Sequence, residues 1–164
     1  MGNEITEILK TIAHDDILNP GDMCGSVENP GTSKTSISDD DDLGSIYGFA
    51  VQLEKTEVEA FFNKSNEQKH AQEAKEWKSI GNNYYPLYWG KDKYGSKRVE
   101  EHLKFQEQTG SIHIETRKEL IGKKVIYGLI LVKNRKNNEK KVREEYPDIY
   151  KTKSKKTRPK KKHS

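Results

Sequence analysis

The chain has 164 residues, 31% hydrophobic and 34% charged, with a formal net charge of +4. That composition supports one modest core with charged arms outside it. It argues against a membrane protein, since no run nears the ~18 apolar residues of a span, and a lone Cys24 rules out an intramolecular disulfide.

Charge is separated along the chain. Residues 1–44 carry ten acidic and two basic side chains, residues 151–164 carry eight basic and no acidic ones, and residues 45–150 carry 20 basic against 16 acidic. This predicts an N-terminal helix and acidic linker over 1–44, a folded domain over 45–150 and a basic tail over 151–164. The opening Met1-Gly2-Asn3-Glu4 lacks a basic and apolar leader, so a cytoplasmic location is expected.

Ile5, Ile8, Leu9 and Ile12 recur at helical spacing, so residues 3–13 form an amphipathic helix that needs a docking surface. From Asn19-Pro20-Gly21 to Asp39-Asp40-Asp41-Asp42 the turn formers and acids read as linker. Ile46 to Leu53 is a nearly continuous β-rich run and the first core strand. Thr56 with Glu59, and Ser65 with Gln68, read as capping boxes, so one or two helices fill 57–80. Tyr84 to Trp89 is a second strand, and Tyr94-Gly95-Ser96 leads into a helix carrying Arg98, Val99, His102 and Leu103. Ile112 and Ile114 alternate with polar residues, and Thr116 to Leu120 suits a helical turn. Val125 to Val132 is the strongest strand and must be central, because a run so apolar needs cover on both faces. Asn137 or Asn138 then opens a last helix that stops near Tyr146-Pro147. The fold class expected is mixed α/β, with a small, mainly antiparallel central sheet flanked by helices and flexible charged termini.

The densest chemistry lies in Tyr84-Tyr85-Pro86-Leu87-Tyr88-Trp89-Gly90-Lys91, with Arg98 and His102 soon after. A phenol can bond to or exchange a proton with a ligand, a glycine admits close backbone approach, and lysine with arginine can hold anionic oxygens from two sides. That combination suits phosphate and points to a nuclease.

In order and spacing these residues resemble the GIY-YIG nuclease family. Ser45-Ile46-Tyr47 stands for the first family tripeptide, Tyr88-Trp89-Gly90 for the second, and Lys91 for the lysine that usually follows. Arg98 with His102 four residues on resembles the family's arginine helix, and Glu139 the glutamate that opens its final helix. The pattern departs from the family where serine replaces the first glycine, where Trp89 replaces a branched residue, and where Lys151 stands in place of an asparagine. Residues 57–80 form a helical insertion between tripeptides that usually lie one hairpin apart. The resemblance implies that Glu139 holds a divalent metal, Mg2+ or Mn2+. It also implies that Tyr47 helps to activate a water, and that Arg98 and Tyr88 position the scissile phosphate while Gly90, Lys91 and His102 contact nucleic acid. The implied reaction is metal-dependent hydrolysis of nucleic acid, DNA in preference to RNA, with the four catalytic side chains meeting in one pocket.

Each residue also has a plainer reading. Singly, Tyr47 and Tyr88 are strand aromatics, Arg98 and Glu139 are solvated helix residues, and His102 is a buried histidine. The tail cations Lys155, Lys156, Arg158, Lys160, Lys161 and Lys162 read as a polycation that strengthens nucleic-acid affinity without choosing sequence. The rival function is a non-catalytic nucleic-acid-binding or adaptor protein that keeps the basic surface without a working site. A weaker third is a basic structural protein that prefers RNA.

Overall fold

A computed structural model describes residues 2–18, 23–26, 43–64, 71–92 and 117–150. The helices are α1 (Glu4–Ala13), α2 (Val58–Lys64) and α3 (Arg135–Glu145). The strands are β1 (Met23–Ser26), β2 (Gly44–Gln52), β3 (Tyr84–Asp92) and β4 (Val125–Val132). The strands form one sheet in the order β1-β4-β2-β3, antiparallel throughout. The fold is therefore mixed α/β with an antiparallel sheet, as the periodicities predicted. No helix among the described residues is long and apolar enough to cross a membrane.

β4 is buried at every position, and both faces of the sheet are covered. On one face α1 lays Ile5 and Leu9 over Ile46, Ala50, Ile126 and Ile130, and Val142 of α3 joins them. On the other face Phe61, Phe62 and Trp77 pack with Tyr47, Phe49, Val51, Leu87 and Tyr127. The Asn3 side chain caps α1 by accepting from Ile5 N–H and Thr6 N–H, while its own amide donates to the Tyr127 carbonyl at 2.8 Å. One residue thus starts the helix and fixes it to the central strand.

The repeated Ile-Tyr-Gly at 46–48 and 126–128 has a packing cause. Gly48 and Gly128 are paired in the β2–β4 ladder, side by side under the helical layer. A Cβ on Gly128 would lie 2.9 Å from Ile5 Cγ2 and Thr6 Cγ2, and one on Gly48 would collide with the Trp89 ring. The two glycines let α1 and the indole sit directly on the backbone.

Three expectations change. Residues 23–26, within what read as linker, pair with β4 as an edge strand, because Cys24 and its neighbours find a ladder that outweighs their weak strand propensity. The segment 57–80 is not a separable helical insertion. Only α2 and short 3-10 turns are helical among its described residues, and Trp77 stacks on Phe61 at 5.7 Å and meets Tyr85 at 5.2 Å inside the main core. Burial of those rings outweighs the helix signals read from the capping pattern. Finally, α3 starts at Arg135 rather than at Asn137 or Asn138, because Asn134 adopts a left-handed conformation (φ 53°) and turns the chain straight out of β4.

Candidate active site at the β3 edge

β2 and β3 carry the two tripeptides side by side, with Tyr47 paired to Gly90 and Gly48 to Trp89. The pairing is reciprocal. On one face the Tyr47 ring lies across Gly90, where any Cβ would collide with its Cζ and Oη; on the other the Trp89 ring lies across Gly48. Packing alone therefore requires a glycine at both places.

A bulge decides where Tyr88 points. Register shifts between Phe49 and Ala50, which pair with Tyr88 and Pro86, so Leu87 is the extra residue. Strict alternation from Tyr85 would turn Tyr88 away from Tyr47; the additional residue returns it to the same face, with ring centroids 6.3 Å apart. Pro86, which has no N–H to give, is tolerated beside the bulge in an edge strand.

The free edge of β3 is closed by the chain that follows α3. Trp89 N–H donates to Asp148 Oδ2 at 2.8 Å, and Ile149 N–H and Tyr150 N–H donate to the Leu87 carbonyl. Arg143 of α3 donates to the Trp89 carbonyl and to Glu139 Oε1, lies 3.3 Å from Asp148 Oδ1, and sits 5.7 Å from the Tyr88 ring centroid. Burial alone would make Arg143 easier to deprotonate, but the Asp148 and Glu139 carboxylates outweigh it and raise its pKa. Trp89 is locked too, its indole N–H donating to the Tyr146 carbonyl at 2.7 Å.

Glu139 lies in the second turn of α3 rather than opening it. Its side chain is only 7% exposed, and Lys91 Nζ reaches its Oε2 at 2.8 Å. Lys91 is paired across the ladder with Ile46, on the α1 and α3 face, whereas Tyr47 is paired with Gly90 on the other. The expected convergence of Tyr47, Tyr88 and Glu139 in one pocket is therefore not what forms. The two rings share one face, the glutamate lies over the opposite face, and Arg143 joins them around the edge of β3. The helix register puts Glu139 and Arg143 on one side of α3, and the sheet separates both from the Tyr47 ring. Tyr47 is 1% exposed, so its ring is a core element.

Arg98, His102 and the tail cations Lys155, Lys156, Arg158, Lys160, Lys161 and Lys162 lie outside the described residues. Two residues that the sequence reading passed over, Arg143 and Asp148, organise the edge. An arginine four residues after Glu139, and an aspartate after the helix-ending Tyr146-Pro147, were the signals available.

Among the described residues no group of three or more His, Cys, Asp or Glu could hold a metal. A single carboxylate is nevertheless enough protein for Mg2+, which commonly takes one or two carboxylates and completes its shell with water and phosphate. Glu139 fits that pattern through one atom. Oε2 already holds a cation, the ammonium of Lys91, whose side chain is 40% exposed, while Oε1 is committed to Arg143. Lys91, Arg143, Glu139 and Asp148 together balance in charge.

The chain matches no protein-family model, no curated protein and no solved structure.

Proposed function

We propose that this protein is a cytoplasmic, metal-dependent phosphodiesterase of the GIY-YIG type that cuts nucleic acid, DNA in preference to RNA, at the β3 edge. One observation carries this. Lys91 and Glu139, 48 residues apart and assigned by the sequence pattern to one site, are in contact at 2.8 Å. The bulge that returns Tyr88 to the side of Tyr47 supports the same assignment.

Each residue then has a restricted part. Glu139 Oε2 would hold Mg2+ or Mn2+, which when bound supplies Lewis acidity at a phosphate oxygen. Lys91 and the Tyr88 hydroxyl orient the phosphodiester, and Gly90 lets it approach the backbone. Arg143 keeps the Glu139 carboxylate aimed, since its own anchors on Trp89 and Asp148 leave it little freedom. Buried Tyr47 positions Tyr88. Arg98 and His102 add phosphate contacts, and the tail adds affinity through counterion release.

Plasmid incubated with the full chain and Mg2+ or Mn2+ should be nicked or cut. Glu139→Gln should lower the rate at least ~100-fold, the scale of one transition-state contact, while Tyr47→Phe keeps most of it. The second reading, nucleic-acid binding without catalysis, is favoured by the pairing of Glu139 with two cations. A gel shift with no cleavage in either metal would select it.

A further inference from the structure

We propose that Lys91 is a stand-in for the divalent cation: its ammonium occupies the metal position on Glu139 Oε2, and an arriving phosphodiester draws it off, so that metal and nucleic acid bind cooperatively. The inference deepens the proposed phosphodiesterase activity and rests on it.

The two cations on Glu139 are held differently. Arg143 is anchored by the Trp89 carbonyl and Asp148 as well as by Glu139 Oε1. Lys91 meets only Glu139 among the described residues, and its exposed, flexible stem ends in a compact point charge that can swing toward solvent. Oε2 is thus the oxygen that can change partners, and it does so on the side that solvent reaches.

Charge gives the coupling its sign. With Lys91 in place the four ionised groups at the edge balance. Exchanging the ammonium for a divalent ion breaks the Lys91–Glu139 pair and leaves a freed lysine beside a site that now carries excess positive charge. A phosphodiester compensates both, because its oxygens accept the freed ammonium and complete the shell of the metal. Each ligand must then raise the affinity of the other by the same factor.

The test measures Mn2+ binding to the full chain, by calorimetry and by the electron paramagnetic resonance of free Mn2+, with and without a short phosphorothioate DNA duplex that resists cleavage. In the native chain the duplex should tighten Mn2+ binding at least about fivefold, the lower end of ordinary coupling. Lys91→Met should bind Mn2+ at least about fivefold tighter without DNA, and the enhancement by the duplex should largely vanish. Glu139→Gln should abolish binding in both backgrounds. Lys91→Gln replaces the methionine variant if the latter does not give a native thermal melt. Mn2+ that binds through Glu139 equally well with and without Lys91, with unchanged enhancement by DNA, overturns the stand-in role and leaves the proposed activity intact. Absence of Mn2+ binding in every variant, with or without duplex, overturns both.

Discussion

The two faces of the β2–β3 ribbon use one packing device to different ends. On the face under α1 and α3, Trp89 covers Gly48 and is fixed by its bond to Tyr146. On the opposite face, Tyr47 covers Gly90 and leans toward Tyr88, at the margin where Arg143 comes around the edge. Since an aromatic ring over a glycine recurs on both faces, a Tyr-x-Gly tripeptide is accounted for by packing and does not by itself indicate chemistry. What separates the faces is the polar edge between them, where the contact of Lys91 with Glu139 has no counterpart in core packing.

That edge should respond most strongly to mutation. Asp148→Ala leaves Trp89 N–H without its acceptor and Arg143 without one carboxylate, and should cost about 3–5 kcal/mol in urea unfolding, as for other broken buried pairs. Asp148→Asn, which can still accept from Trp89, should cost clearly less. If both cost the same, the charge on Asp148 rather than its hydrogen bond holds the edge. Next, Gly48→Ala should cost about 1–3 kcal/mol through overpacking against Trp89. Gly90→Ala should cost less, because β3 is an edge strand that can shift outward whereas β2 is flanked on both sides. Equal losses in thermal melts would make the Tyr47 face as rigid as the other, and would remove any room there for a ligand.

The smallest expected effect tests the junction of α3 with the turn after α1. A hydrogen bond from Asn138 holds the Asp16 carboxyl below its ordinary pKa. The folded state thus favours the ionised form, so the contribution is complete above the ordinary aspartate value near ~3.9 and fades as pH falls through the lower folded value. Asp16→Asn should flatten the acid side of a melting-temperature profile and change little at neutral pH.

Several elements were legible because local pattern and burial agreed. The stripe Ile5, Ile8, Leu9 and Ile12 gave α1, and the unbroken run Val125 to Val132 gave the central strand. The bounds of β2 and β3 were nearly right for the same reason, and Pro147 marked the end of α3. The strand at 23–26 escaped notice because it exists through pairing with β4, not through its own propensity. The segment 71–80 was misread because Trp77 is held by rings distant in sequence. Of the candidate site, the tie between Lys91 and Glu139 was anticipated as membership of one constellation, but the face on which each side chain lies was not.

Sequence by itself determined the mixed α/β class, the central strand, the docking helix and the candidate set of phosphate-handling residues, since these follow from hydrophobic period and residue chemistry alone. Only the tertiary structure decided that Leu87 bulges, that Tyr88 thereby joins Tyr47, that Arg143 and Asp148 close the β3 edge, and that Glu139 lies across the sheet from the tyrosines. Those outcomes depend on strand register and on the angle at which α3 crosses the sheet. One extra residue in a ladder reverses every side chain beyond it, and no local pattern in the chain records that residue.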